Sequence, residues 1–202
     1  MMDTASNERL TRVGPGTPGG ELLRRYWQPL CPAGEITPEN PKKRMRILGE
    51  DLLVFRDGQG QLACVEEHCK HRGVSLYYGF IEECGLRCCY HGWLYGSDGR
   101  CLEQPFEPAK STLKDEIRLK SYPVRELGGL LFTYMGPFPD KAPLPPRWDV
   151  LVREDGARRI NVYPVHHCNW LQIQENTADS THTFYLHGVM DRKLGFKHPF
   201  AA

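Results

Sequence analysis

No apolar run in the chain approaches the roughly 20 residues needed to span a bilayer, so a transmembrane helix is excluded as its organising feature. An excess of one charge is missing as well. Lys and Arg number 26 against 25 Asp and Glu, which leaves no global field to hold nucleic acid or an anionic membrane, and neither is expected as a partner. The N-terminus lacks the charged and apolar pattern of a secretory signal. Eight cysteines would otherwise suggest a disulfide framework, but without such a signal a reducing, cytoplasmic location is expected. Cys31, Cys64, Cys84, Cys101 and Cys168 then read as buried or semi-buried free thiols. A length of 202 residues, 40% hydrophobic and 25% charged, allows one medium domain, or one small domain and part of another.

The stretch from Cys64 to Cys101 holds the densest chemistry. It contains Cys69-Lys70-His71 and, with sixteen residues between His71 and Cys88, Cys88-Cys89-Tyr90-His91. Two short loops thus each offer one thiolate and one imidazole. A zinc finger more often brings its cysteines as one pair and its histidines as another. Mixed Cys-x-His and Cys-x-x-His pairs suit a [2Fe-2S] cluster in which two cysteines hold one iron and two histidines the other. A zinc ion bound by the same four residues is the simpler alternative. His68 and Cys89 stand beside the two pairs as spare candidates.

Cys69-Lys70-His71-Arg72-Gly73 and Cys88-Cys89-Tyr90-His91-Gly92-Trp93 resemble both signature boxes of the Rieske family, with Cys89 where that family commonly has proline. The resemblance implies that Cys69 and Cys88 bind the inner iron and His71 and His91 the outer one, leaving His68 and Cys89 out. Gln104-Pro105 is similar to the family's proline-bearing loop that shields the cluster, although a plain turn would read the same way. Trp93 is expected to pack beneath a cluster loop. Lys70 and Arg72 read either as a docking patch for an electron donor or as solvated surface.

Along the chain, Gly14-Pro15-Gly16-Thr17-Pro18-Gly19-Gly20 is a run of breakers, and Thr17-Pro18 predicts a helix cap followed by proline at the first helical position. A short helix is expected over Glu21 to Tyr26, ended by Pro29. The opening Val-Gly-Pro-Gly-Thr-Pro, followed by Leu-Leu-Arg-Arg-Tyr-Trp, resembles oxygenases of the phthalate and phenoxybenzoate dioxygenase group. Short apolar runs at 45–48, 52–55, 62–65 and 130–134, separated by Asp57-Gly58-Gln59-Gly60 and Tyr95-Gly96-Ser97-Asp98-Gly99-Arg100, predict antiparallel hairpins. Both cluster loops are expected at hairpin tips. Prolines at 137, 139, 143, 145 and 146 predict an extended linker. The expected organisation is an N-terminal segment with a short helix (1–42), a mainly β Rieske domain built as an antiparallel sandwich (43–136), a linker (137–147) and an incomplete catalytic domain (148–202).

Beyond the linker, Asn169 reads as a helix cap, with Trp170, Ile173 and Thr177 at helical spacing. Asp179 and His182 would share a face. His187 lies five residues past His182, so both can meet one metal only if the helix is widened, kinked or broken between them. Asp179-x-x-His182-x-x-x-x-His187 matches the Rieske oxygenases' mononuclear iron box. By that resemblance His182 and His187 bind Fe(II) within a 2-His-1-carboxylate set. Asp179 is implied to be the acid that bridges to the Rieske histidine of a neighbouring subunit in a homotrimer. The third ligand is expected from a later part of an α+β helix-grip domain, with Glu175 the nearest local substitute. The ending Lys197-His198-Pro199-Phe200-Ala201-Ala202 has no stop of its own and reads as an interrupted domain.

The implied function is the oxygenase subunit of an aromatic-ring-hydroxylating mono- or dioxygenase. Electrons would pass from NADH through a flavin reductase, with or without a ferredoxin, to the [2Fe-2S] cluster and on to the mononuclear Fe(II), and with dioxygen an aromatic substrate would be hydroxylated or O-demethylated. A Rieske electron carrier or an inactive oxygenase fragment is the alternative.

Overall fold

A computed structural model of the chain describes residues 2–163 and 165–195. The ending read above as an interrupted domain, residues 197–202, lies outside them. The chain divides into two compact units, Arg12–Val162 and the described residues of Met1–Thr11 with Tyr163–Ala202.

In the first unit a helix runs Pro18–Leu23. The Thr17 side chain accepts a hydrogen bond from the Gly20 N–H, and proline occupies the first turn, where its missing N–H is not needed. The capping prediction holds, but the helix stops three residues before Tyr26. Eleven strands follow: β1 Trp27–Pro32, β2 Lys42–Ile47, β3 Glu50–Arg56, β4 Leu62–Glu66, β5 Phe80–Glu82, β6 Gly85–Arg87, β7 Leu94–Tyr95, β8 Cys101–Glu103, β9 Ser121–Tyr122, β10 Val124–Leu127 and β11 Leu130–Tyr134. They form three antiparallel sheets, ordered β1-β11-β10, β2-β3-β4-β9 and β5-β6-β7-β8. This is the mainly antiparallel architecture the short runs and turns predicted.

β1 was not expected: Pro29 was read only as the end of the preceding helix. It forms at a sheet edge, with its register broken between Pro29 and Cys31, a place where a missing N–H is tolerated. Leu48 was expected to extend β2. Instead Leu48 and Gly49 make the β2–β3 turn, both at positive φ, as a tight hairpin of this hand requires. The Asp57–Gly60 turn forms as predicted, its Asp57 Oδ1 accepting from the N–H groups of Gln59 and Gln61 at 3.1 and 2.9 Å.

The β2-β3-β4-β9 sheet is covered on both faces. Leu53, Phe55, Ala63 and Val65 pack with Leu76, Leu86, Trp93, Tyr95 and Leu119. Leu52, Val54 and Cys64 pack on the other side with Cys31, Ile36, Leu131 and Met135. Double coverage explains why β3 reads as a continuous apolar run instead of alternating. Each large side chain so buried contributes about 1.5–3 kcal/mol. This rigid middle layer carries the loop that begins at Glu67.

In the second unit helices run Thr4–Thr11, Trp170–Ala178, Ser180–His182 and Asp191–Leu194, with a π-helix at Thr183–Met190. Asn169 caps the second of these, its Oδ1 accepting from Leu171 and Gln172, as expected.

Candidate metal centres

The two loops that carry the Cys/His pairs are built alike. In the first, the Cys69 N–H donates to the Val74 carbonyl at 2.9 Å and the Gly73 N–H to the Cys69 carbonyl at 2.9 Å. In the second, the Cys88 N–H donates to the Trp93 carbonyl at 2.8 Å and the Gly92 N–H to the Cys88 carbonyl at 3.1 Å. Each loop therefore closes five residues after its cysteine and turns on a glycine at positive φ, +70° at Gly73 and +74° at Gly92. The second loop is the tip of the β6–β7 hairpin, as expected. The first is not a hairpin between named strands. It links β4 in the middle sheet to a short 3-10 turn at Leu76–Tyr78, and a single bridge between His68 and Ser75 closes its neck.

This arrangement buries Cys69 and Cys88 and leaves His71 and His91 half-buried. The two imidazole rings lie 4.4 Å apart, and His71 stacks on Trp93 at 4.7 Å with the planes 10° apart. Trp93 thus packs as the sequence suggested. The spare candidates His68 and Cys89 both face solvent. Burial pushes the Cys88 thiol up, opposed by the backbone N–H groups of Tyr90 and His91, and the Cys69 thiol is its hydrogen-bond neighbour. Partial burial, then the charges of His91 and Arg72, hold His71 below the usual imidazole range.

Three further residues shape the loops. The Tyr95 hydroxyl lies 3.2 Å from both the Cys69 Sγ and the Lys70 N–H. Since the Lys70 N–H donates to that oxygen, its own proton is free to point at sulfur. Arg87 donates to the Gly92 carbonyl at 2.6 Å and is itself held by Glu82 and Glu103. Pro105 covers the second loop so closely that a Cβ at Gly92 would come within 3.2 Å of its ring. Sequence reading found Pro105 and missed Tyr95 and Arg87. Tyr95 sits two residues past Trp93, and that alternation was the available signal.

Among the described residues no three His, Cys, Asp or Glu side chains converge as one ion would require. The four donors instead pair off, sulfur with sulfur and ring with ring. His71 Nδ1 and Gln104 Nε2 are buried without a hydrogen-bond partner. Paired donors and an orphaned imidazole nitrogen fit a two-iron cluster better than a single zinc.

In the second unit the widening that His182 and His187 required is present. The π-helix Thr183–Met190 begins directly after His182, and the two rings stand 5.7 Å apart, edge to face. Two imidazoles on one ion, each with a metal–nitrogen distance of about 2.1 Å, would have their ring centres on the order of 5 Å apart. Asp179 caps the turn at Ser180–His182, accepting from Thr181 at 2.8 Å, and its Oδ2 lies 3.3 Å from His182 Nδ1. That contact is out of hydrogen-bond alignment, and His182 Nδ1 is buried without a partner. His187 Nδ1 lies 3.6 Å from Asp191 Oδ2, a neighbour that sequence reading missed although it follows at i+4.

All eight cysteines are free. Cys31, Cys64 and Cys101 are buried, with burial pushing their thiols up to about 11, 12 and 11. Cys84 and Cys168 are exposed, against expectation. Cys84 sits in the β5–β6 turn.

Residues 26–123 match the Rieske [2Fe-2S] domain family, which gives the cluster-bearing class of this unit. Over 198 residues the chain is 46% identical to the 5,5'-dehydrodivanillate O-demethylase oxygenase subunit of Sphingobium sp., covering 96% of this chain and 46% of that protein. It is 45% identical over 197 residues to the phenoxybenzoate dioxygenase subunit alpha of Ectopseudomonas oleovorans, covering 90% and 47%. The oxygenase of a carbazole 1,9a-dioxygenase oxygenase–ferredoxin complex superposes with a TM-score of 0.53 at 31% identity, covering 65% of this chain and 32% of that one. Over nearly its whole length the chain is similar to oxygenase subunits of Rieske systems, phthalate and phenoxybenzoate dioxygenases among them, and its first unit carries the Rieske [2Fe-2S] domain. It spans about half the length of the curated relatives it matches. Among the described residues no helix is long and apolar enough to cross a membrane.

Proposed function

We propose that this chain acts as the oxygenase component of a Rieske system, with Cys69 and Cys88 holding one iron of a [2Fe-2S] cluster and His71 and His91 the other. The observation that carries this reading is the pair of matched loops, which bury two thiols and set two imidazoles side by side at 4.4 Å. His182 and His187 are the protein's donors to a mononuclear iron, and Asp179 is the acid that connects His182 to a neighbouring subunit's cluster. When bound, the cluster supplies one-electron transfer and the mononuclear iron supplies dioxygen activation.

The chain's own residues do the rest. Arg87 and Pro105 hold and cover the second loop, and Tyr95 places a proton donor at the Cys69 sulfur. Burial of both sulfurs keeps water from them and so tunes the potential. The half-buried histidines form the edge through which an electron would enter or leave. The partners are an NADH-dependent flavin reductase or a ferredoxin as donor, dioxygen, and an aromatic substrate that is hydroxylated or O-demethylated, within a homotrimer. An O-demethylase and a dioxygenase among the relatives support this substrate class.

A Rieske electron carrier without oxygenase activity is the second reading. It draws on one observation: His182, His187 and Asp179 do not make a three-donor metal set among the described residues. Iron, zinc and acid-labile sulfide per chain, measured on anaerobically purified protein, separate the readings. About three irons with about two sulfides is the expected result, and about two of each favours the carrier. One zinc without sulfide, repeated after reconstitution, would overturn both.

A further inference from the structure

We propose that Asp191 is the positioning residue of His187, holding its Nδ1 proton so that Nε2 is presented to the mononuclear metal. The inference rests on the histidine-pair reading above. It starts from a symmetry in the geometry. Asp179 Oδ2 lies 3.3 Å from His182 Nδ1, and Asp191 Oδ2 lies 3.6 Å from His187 Nδ1. Each histidine therefore turns the same edge toward its own carboxylate, one placed before the pair and one after it.

The backbone explains why both can do so. Asp179 caps the turn that ends at His182, and Asp191 begins the helix that follows the π-helix. The wider winding between Thr183 and Met190 brings His182 and His187 together without twisting either away from its acid. The Asp191 side chain is only 15% exposed while the His187 ring is 43% exposed. A carboxylate so far removed from water is stabilised by a proton donor at its oxygens, and the ring nitrogen at 3.6 Å closes to a hydrogen bond with a few tenths of an ångström of movement.

The chemistry follows from the imidazole. A neutral ring has one N–H and one lone pair, and the partner at one nitrogen decides which atom can bind a metal. A carboxylate at Nδ1 fixes the proton there, orients the ring and makes Nε2 more basic. Asp191 is on this reading not a ligand. A ligand carboxylate would have to point at the metal and not at the back of the ring.

The test is a Co(II) titration of the full chain, followed by the visible ligand-field bands, with Asp191→Ala, Asp191→Asn and His187→Ala. Asp191→Ala is expected to weaken Co(II) about 10- to 100-fold and to alter the bands, the usual effect of removing such a partner. Asp191→Asn, whose carbonyl can still accept from Nδ1–H but binds metal poorly, should stay within a few-fold of the natural chain. Unaltered affinity and bands in Asp191→Ala, while His187→Ala loses the metal, would overturn this proposal alone. An Asn variant as weak as the Ala variant would make Asp191 a ligand and overturn it as well. Equal binding by His187→Ala and the natural chain would remove the histidine-pair reading and the proposal with it. Should the Ala variant lose helical circular dichroism, Asp191→Ser is read in its place.

Discussion

Replacing Tyr95 by Phe removes one oxygen from the interior and nothing else. That oxygen accepts from the Lys70 N–H at 3.2 Å and lies 3.2 Å from the Cys69 sulfur. Burial, then the hydrogen bond to Cys69, pushes the Tyr95 hydroxyl far above the usual phenol range, so it stays protonated as a donor. Tyr95 is only 1% exposed, so no water takes the place of the lost group. A hydrogen bond to a charged acceptor contributes about 1.5–3 kcal/mol. Reduction adds one negative charge to the cluster, and if about a third of the upper figure is gained only in the reduced state, the difference is about 1 kcal/mol. For a one-electron couple, in which a tenfold change in equilibrium is about 59 mV, this corresponds to roughly 40 mV. Donors to sulfur favour the reduced form, so Tyr95→Phe is expected to lower the midpoint potential by about that amount. A redox titration followed by visible circular dichroism reads the shift directly. An intact cluster whose potential moves by less than about 10 mV would refute the placement of the Tyr95 proton on Cys69.

Two further outcomes follow from the same geometry. Cys88→Ser should abolish the Rieske-type electron paramagnetic resonance signal, whereas Cys89→Ser and His68→Ala should keep it at full intensity, because those two side chains face solvent; loss of signal in either would reassign the ligands. Glu50 accepts from Lys120 and Tyr122 at 2.7 Å and pairs with the buried Arg24. Burial works against its charge, but these three donors outweigh it and hold the carboxyl below its ordinary value. The stability it contributes is therefore full above about pH 4.5, where the unfolded carboxyl is ionised, and is lost as pH falls through the lower folded value. Glu50→Gln should destabilise the first unit by about 3 kcal/mol at neutral pH, since it strands the Arg24 charge, and by less in acid. Denaturant unfolding at pH 7 and pH 3 checks this, and an equal loss at both would count against it.

The local chemistry was legible in the residues themselves. Thr17-Pro18 and Asn169 announced their caps and Asp57–Gly60 its turn, because each depends on atoms a few residues apart, and the two Cys/His pairs marked out the two matched loops. The requirement that the helix widen between His182 and His187 also followed from counting residues per turn, and the π-helix meets it. Other features depend on partners distant in the chain. β1 looks like a proline-broken loop until β11, a hundred residues later, offers it a sheet edge. Cys84 and Cys168 are no more polar than Cys64, and only packing leaves them in water while Cys64 lies between two layers. His68 and Cys89 have the same chemistry as the residues beside them, and it is the fold of each loop that turns them outward. Residue type and short spacing thus determined which groups this protein could use. The burial that removes water, and the long-range contact that sets Tyr95 against Cys69, were decided by tertiary structure alone, because the free energy of a sulfur or an imidazole depends on what surrounds it.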